Sequence, residues 1–208
     1  MRKFIQTIQN IWSVEELRQR ILVTLGFILI YRLGSYVVLP GIDPSQLENY
    51  AQQTSEGILG LINMFAGGAF SRASIFALGI MPYISASIVI QLLGIAVPYF
   101  QKLQKEGESG RQKINQITRL LTIAITGVQS VGFLINLKSQ VPPEAFYFDF
   151  MPMTLFYVTN VILLTSGTMF VMWLGERITD NGIGNGISLI IMIGIIARLP
   201  ISVAAEFE

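Results

Sequence analysis

The sequence predicts an all-α, polytopic membrane protein, and three features of the chain support this fold class. Of its 208 residues, 52% are hydrophobic and only 13% are charged, and the mean hydropathy is +0.58. A soluble domain carries about 25% charged residues, so this chain has too few charges to cover a water-facing surface. The neutral stretches between the charges are solidly apolar instead of alternating, which favours helices over the strands of a membrane barrel.

Five membrane-spanning helices account for these neutral stretches. A helix crosses a hydrocarbon core of ~30 Å with about 20 residues, and the chain is long enough for five such helices and their connections. The predicted spans cover about residues 21–39, 73–97, 118–137, 153–174 and 183–199.

The distribution of Lys and Arg predicts how these spans are oriented. Ten of the fourteen basic residues lie in the N-terminal segment and in the connections after the second and fourth spans. The largest group follows the second span and includes Lys102, Lys105, Arg111 and Lys113. Because cytoplasmic loops carry an excess of Lys and Arg, we expect a cytoplasmic N-terminus and place residue 208 on the outer side.

A short apolar run between the first and second spans predicts a re-entrant half-helix. Residues 57–66 are helical in character but too few to cross a bilayer before the pair Gly67-Gly68. We therefore expect the chain to enter from the outer side, break at this pair and restart. Irregular backbone at membrane depth is tolerated only inside protein or beside a watery cavity, and broken helices are typical of transport pathways. A helix lying flat among the outer headgroups is the alternative interpretation.

The second and third predicted spans contain an apolar stripe and several polar side chains. Ile80, Ile84 and Ile88 repeat at four-residue spacing and so share one helix face. Pro82 removes an intrahelical hydrogen bond and predicts a kink between the two halves of this stripe. The polar residues are Ser85, Ser87, Gln91, Gln129 and Ser130. By themselves these features favour helix packing over a pore lining.

Residue types exclude several kinds of chemistry. The chain has no Cys and no His, which excludes disulfides, Cys- or His-based catalysis and zinc sites with nitrogen or sulfur ligands. The glycines at 182, 184 and 186 have the wrong spacing for a nucleotide-binding loop and instead predict a tight turn before the fifth span. We expect no cofactor, no metal and no catalytic residue.

Taken together, these segments resemble the SecY family, the central subunits of bacterial protein-conducting channels. The matching segments are Arg32-Leu-Gly-Ser35, Pro40-Gly-Ile-Asp43, residues 63–87, Lys105-Glu-Gly-Glu-Ser-Gly-Arg111, residues 168–176 and residues 182–188. The resemblance covers essentially the whole chain, although the stretch 138–152 carries no motif that matches.

The resemblance implies a pore-forming subunit that passes unfolded secretory proteins across the plasma membrane and releases membrane segments through a lateral gate. Residues 57–70 would then be a plug that closes the pore. By resemblance, the plug includes Asn63, Met64, Phe65, Gly67 and Gly68, the pore ring Ile80, Ile84 and Ile191, and the lateral gate Ser85, Gln91 and Gln129. The basic group Lys102, Lys105, Arg111 and Lys113 would face a cytoplasmic partner.

Family members have ten spans in two halves related by a pseudo-twofold axis, and this chain resembles the N-terminal half. The C-terminal half of the same protein would complete the pore ring and the opposite wall of the gate. The resemblance also implies the bacterial plasma (inner) membrane as location. The implied partners are the small membrane subunits SecE and SecG, the SecA motor ATPase or the ribosome, signal sequences, nascent chains and membrane lipids.

A secondary transporter with a broken-helix substrate site is the alternative function. Such a protein is expected to hold an ionisable or coordinating group near mid-membrane. The predicted spans offer only Ser, Thr, Asn and Gln there, with Arg32 and Arg72 near the outer ends. An intramembrane enzyme ranks third, because the spans lack His, Cys, Lys and a mid-span Asp.

Overall fold

The computed structural model describes residues 12–47, 50, 57–147 and 152–197. The seven α-helices within these residues are α1 (Glu15–Gly34), α2 (Gly57–Phe65), α3 (Met81–Ala96), α4 (Pro98–Lys105), α5 (Glu108–Gln140), α6 (Met153–Asn181) and α7 (Gly186–Ile196). Two short 3-10 turns, Pro44–Leu47 and Pro143–Ala145, complete the regular elements. The described part of the chain contains no strand, so the all-α prediction is confirmed there.

Two of the described helices, α5 and α6, are long and apolar enough to cross a membrane. The pair α3 and α4 meets the same criteria together but is bent by 98° between Ala96 and Pro98. Counting that pair as one span gives three, and the five predicted spans stay a prediction. Arg2, Lys3 and residues 198–199 of the predicted fifth span lie outside the described residues.

Proline positions correct two of the predicted helix boundaries. The second span was predicted from residue 73, but residues 66–80 form consecutive turns and α3 begins only at Met81. Pro82 therefore lies in the first turn of α3, where its missing N–H costs no hydrogen bond, and the predicted kink there is wrong. The sharp bend lies instead before Pro98, where Val97 is extended with φ −112°.

Other boundaries differ in both directions, since one helix ends earlier than its predicted span and polar residues continue two others beyond their apolar runs. The first helix ends at Gly34 instead of residue 39, whereas α6 starts at the predicted residue 153 and continues through Asn181. Helix α5, which corresponds to the third predicted span, begins at Glu108 instead of residue 118, so the basic connection before that span is largely helical. Gly107, with φ +70°, forms the turn between α4 and α5.

Helices α5 and α6 make the most extensive helix contact, and α3 packs on α5. The buried face of α5 carries a row of small hydroxyl residues, Thr118, Thr122, Thr126 and Ser130. Each hydroxyl donates to the carbonyl four residues earlier, at 2.9, 2.8, 2.6 and 2.7 Å. These bonds satisfy the hydroxyls within the helix, and the small side chains allow neighbouring helices to approach closely.

Stacked aromatic rings connect α1 and α6 to the turns at residues 66–80. The Phe76 ring stacks on Tyr31 at a centroid distance of 6.0 Å and on Phe170 at 5.9 Å. The same ring lies against Gly34, and the backbone carbonyl of Ile75 lies against Gly167 of α6, so neither glycine has room for a Cβ. Glycine at these two positions allows the turn segment to enter the helix layer.

Two loops distant in sequence pair with each other beside this layer. The Asp43 amide donates to the Ala145 carbonyl at 2.8 Å, and the Tyr147 amide donates to the Gly41 carbonyl at 3.1 Å. Hydrogen bonds from the hydroxyl and amide of Ser45, at 2.7 and 2.9 Å, hold the pKa of Asp43 below its ordinary value. The Asp43 charge in turn raises the pKa of Tyr147.

Replacing Gly167 should destabilise the fold. In Gly167→Ala, the added methyl would meet the Ile75 carbonyl, and overpacking of this kind costs about 1–3 kcal/mol. The matched control is Gly127→Ala on α5, where no atom lies within 4 Å of the new methyl and where alanine favours the helix. We expect a lower apparent melting temperature in detergent for the first variant only. Equal melting temperatures would show that α6 and the turn segment are less closely packed than described.

Acid should weaken the loop pairing through Asp43. Because its pKa is lowered in the fold, Asp43 stabilises the protein above the ordinary carboxyl value of 3.8, and this contribution is lost as the pH falls through the lowered pKa. The apparent melting temperatures of the wild type and Asp43→Asn should therefore differ at about pH 6 and converge towards about pH 2. A difference that stays constant over this range would contradict the role of the charged form.

Candidate functional site

The candidate site is built around residues 57–80, which we call the broken segment. Helix α2 ends at Phe65 and is followed by Gly67 and Gly68, whose φ values are +63° and +81°. Residues with a Cβ rarely adopt this left-handed region, so the glycine pair permits the sharp turn. The predicted break at the glycine pair is confirmed.

Asn63 ties the turn back onto α2. Its side chain is 0% exposed, and its Oδ1 accepts the Ser71 amide at 3.1 Å. Its carbonyl accepts the Gly68 amide at 2.8 Å, and the Ser71 hydroxyl donates to the Gly68 carbonyl at 3.1 Å. Nδ2 of Asn63 is buried without a protein hydrogen-bond partner. This one side chain therefore sets how the chain leaves the helix.

Two arginines converge on the glycine pair. The Gly67 carbonyl accepts hydrogen bonds from Arg72 Nη2 at 3.0 Å and from Arg32 Nη1 at 3.3 Å. Arg72 also donates through Nε to the Ser35 carbonyl at 3.1 Å, and its guanidinium lies 4.4 Å from the centroid of the Tyr36 ring. Sequence reasoning noted both arginines but assigned them no role, because residue spacing does not reveal a bond to a distant carbonyl.

The end of α2 also lies directly against α7. A Cβ on Gly67 would lie 3.1 Å from the Gly194 Cα, and a Cβ on Gly194 would lie 2.9 Å from the Phe65 carbonyl oxygen. The Met64 carbonyl accepts the Gly67 amide at 3.0 Å, which completes the turn at this contact. Glycine on both sides brings the two backbones together without a side chain between them.

The three residues of the predicted pore ring belong to one hydrophobic region. Ile80 is 2% exposed and precedes α3, whereas Ile84 and Ile191 are half-buried and pack against the same core. Ile84 lines a groove of about 260 Å³ between α3 and α7. Ile191 lines an apolar groove of about 320 Å³ along α7. Ile88, the third member of the stripe, is 51% exposed and does not join this core.

Two of the three predicted lateral-gate residues share a cavity. Ser85 of α3 and Gln129 of α5 both line a largely apolar cavity of about 390 Å³, whose wall also includes Leu59 and Ile62 of α2. Asn136 lines this cavity too, and its buried Oδ1 has no protein partner, a feature that sequence reasoning missed.

The structure separates Gln91 from these two residues. Gln91 lies in the groove of Ile84, where its Nε2 contacts the Ser87 hydroxyl oxygen at 3.3 Å. Gln91 and Ser85 therefore face different spaces, although both belong to α3. A lateral gate containing all three residues stays a prediction.

The predicted partner-facing residues are exposed on two helices. Lys102 and Lys105 lie on α4, and Arg111 and Lys113 lie in the first turns of α5. Lys113 pairs with Glu106 at 3.8 Å, and Gly110 of α5 packs on the carbonyl of Leu103. The group is thus carried by two packed helices and not by a flexible loop.

The side chains of the candidate site are suited to apolar packing. Among the residues that the structure describes, no three His, Cys, Asp or Glu side chains lie close enough together to hold a metal ion. The site instead combines an apolar wall with a broken backbone that is held by side-chain donors.

Comparison with known sequences identifies similar proteins. A family model described as SecY matches residues 74–207. The protein translocase subunit SecY of Escherichia coli (strain K12) is 49% identical over 193 residues, which is 93% of this chain and 43% of that protein. The SecY of Rickettsia typhi is 47% identical over 199 residues, covering 94% of this chain and 45% of that protein. The chain thus spans less than half the length of these curated relatives.

Solved structures show a similar fold. A structure described as that of a protein conducting channel matches with a TM-score of 0.53 and 22% identity, covering 85% of this chain and 36% of that chain. Sec61 in the canine ribosome-channel complex from the endoplasmic reticulum matches with the same values. At this identity the likeness concerns the fold.

Removing the Asn63 side chain should loosen the turn after α2. Asn63→Ala leaves the buried Ser71 amide without its acceptor, which costs about 1–3 kcal/mol of folding free energy. The matched control is Asn115→Ala, at an exposed position on α5. We expect a fall in apparent melting temperature for the first variant alone. If both variants melt like the wild type, Asn63 does not hold the turn.

Proposed function

Because the chain belongs to the SecY family, we propose that it forms the N-terminal half of the pore-forming subunit of a protein translocation channel. This channel passes unfolded secretory proteins across the membrane and releases membrane segments through a lateral gate. The observation that carries the proposal is the broken segment, whose end lies on α7 and whose last residue, Ile80, is buried in one core with Ile84 and Ile191.

The proposed pore seal depends on apolar side chains. Ile80, Ile84 and Ile191 offer water and ions no compensation for lost hydration, so a constriction made by them closes by dewetting. Flexible aliphatic side chains also close around a passing peptide of any sequence, because they demand no fixed hydrogen bond. In this proposal residues 57–70 form the plug, with Asn63, Met64, Phe65, Gly67 and Gly68 at its break.

The proposed lateral gate lies at the cavity between α2, α3 and α5. Ser85 and Gln129 give this apolar cavity a polar margin, and a wall of this kind suits an apolar segment passing from a watery pore into lipid. Gln91 extends the proposed gate along α3 into the neighbouring groove. Signal sequences would then be selected by how readily they partition through the gate into lipid.

In this proposal, the other parts of the translocation channel and its partners lie outside this chain. The C-terminal half of the protein would supply the opposite gate wall and the rest of the ring, and SecE and SecG would be small membrane partners. The exposed basic group Lys102, Lys105, Arg111 and Lys113 would face the SecA motor or the ribosome, which supply energy. Signal sequences, nascent chains and lipids would meet the pore and gate.

The protein is a multi-pass membrane protein, and we place it in the bacterial plasma membrane with a cytoplasmic N-terminus and residue 208 outside. The excess of Lys and Arg in the N-terminal segment and in the connection carried by α4 and α5 supports this orientation. The relatives are named as translocase subunits, which supports a channel without a catalytic residue of its own. They give no support to the secondary transporter.

Photo-crosslinking tests the proposed pore. A photoreactive residue placed singly at Ile80, Ile84 or Ile191 of the full-length protein in its membrane complex should crosslink to a stalled secretory chain. The reason is that all three side chains should surround the translocating peptide. Crosslinked product is measured on a gel as the fraction of the labelled secretory chain that shifts in mass.

The matched control for this experiment is Ile162, which is 59% exposed on the outer surface of α6. We expect it to crosslink to lipid or to neighbouring subunits and not to the secretory chain. If Ile162 labels the chain as strongly as the three ring positions, or if none of the three labels it, the pore assignment is wrong.

A further inference from the structure

The carbonyl of Gly67 is an unusual acceptor within the broken segment. It accepts a hydrogen bond from the guanidinium of Arg32 on α1, at 3.3 Å, and another from the guanidinium of Arg72 in its own turn, at 3.0 Å. A carbonyl oxygen has two lone pairs, so these two donors use its full capacity. Hydrogen bonds from charged donors are roughly twice as strong as neutral ones.

Other contacts place this carbonyl at the joint between the broken segment and α1. The hydroxyl of Tyr31, one residue before Arg32, donates to the carbonyl of Ala66 at 3.4 Å. The same guanidinium of Arg72 also donates through Nε to the carbonyl of Ser35, which lies just after α1. Two consecutive carbonyls at the glycine break are therefore held by side chains of α1.

Polar contacts add direction to the apolar packing of the break, where Ala66, Ala69 and Phe70 are buried in the core. Gly67 and Gly194 contact each other through backbone atoms alone, so no side chain at this contact fixes the position of one segment on the other. Glycine backbone also has the largest conformational freedom of any residue. The direction of the turn thus depends on Asn63, described above, together with the donors that bind the turn's own carbonyls.

We propose that Arg32 is a positioning residue that latches the plug in its closed position through the Gly67 carbonyl, with Arg72 as the second donor. This inference rests on the function proposed above. Movement of the plug away from α7 separates the Gly67 carbonyl from a guanidinium on α1, so opening requires this hydrogen bond to break. The latch acts on the plug and makes no contact with the translocating chain.

The test compares resting ion leak in the full-length protein, assembled in its complex in planar bilayers, for Arg32→Gln and Arg32→Lys. Losing a hydrogen bond from a charged donor shifts an equilibrium by about tenfold or more, so Arg32→Gln should raise the leak without a signal peptide about tenfold. Arg32→Lys keeps the positive charge and N–H donors but loses the planar fork of the guanidinium, and it should restore part of the closure.

The matched control is Arg20→Gln. Arg20 lies on the same helix and also reaches a glycine carbonyl, that of Gly182 at 3.4 Å, but it has no contact with the broken segment. This variant should keep the wild-type leak. A second readout places a single cysteine in the full-length protein freed of any other: Ala66→Cys, buried in the closed plug, should react faster with a thiol reagent when combined with Arg32→Gln.

The outcomes distinguish a failure of the Arg32 latch from a failure of the proposed channel function. Higher leak and faster labelling in Arg32→Gln, with partial return in Arg32→Lys, support the latch. Wild-type leak and labelling in Arg32→Gln overturn it, even if signal peptide still opens the channel. If Arg32→Gln does not accumulate in the membrane, Arg32→Lys and Arg72→Gln carry the test, and wild-type leak in both overturns the latch. A wild-type complex that shows no signal-dependent opening contradicts the proposed function itself.

Discussion

The hydrogen bonding of an irregular backbone inside an apolar protein is the constraint on which this structure depends. Residues 66–80 form turns at the centre of a helical layer, and an unpaired peptide group there carries a large desolvation cost. Side chains supply partners that a helix would have supplied, and the extended stretch after α1 supplies others. The amides of Leu39 and Ile75 bond to the carbonyls of Ala73 and Val37, both at 2.9 Å. The broken segment is therefore held to α1 and its continuation by directed bonds.

Small residues determine where this segment fits. Gly34, Gly167 and Gly194 each leave the space of one side chain for a ring or a backbone carbonyl of the segment. The hydroxyl row on α5 has a related effect, because its side chains are small and bond to their own helix. Close backbone approach adds to the packing of the segment's large side chains, among them Phe70, Phe76 and Ile80, which are buried in the same core.

In the proposed channel, this combination suits a plug that must be both fixed and releasable. A segment held by directed hydrogen bonds as well as by apolar packing is suited to two discrete states, bonded and released, because packed interfaces change between discrete arrangements. The proposed pore ring of Ile80, Ile84 and Ile191 would then need only to close around the passing chain, since other contacts set the position of the plug.

The sequence by itself determined the fold class, the break at Gly67 and Gly68, the turn before α7 and the family, because composition and glycine placement are local properties. Only the tertiary structure decided that α3 starts at Met81, that the sharp bend falls at Pro98 and not at Pro82, and that Gln91 faces a different groove from Ser85. The same holds for Arg32 and Arg72, whose shared acceptor is 35 residues from one and five from the other. A hydropathy run records which residues avoid water, but it carries no information on which distant carbonyl a side chain meets. That meeting depends on how helices pack, and packing is a property of the whole chain.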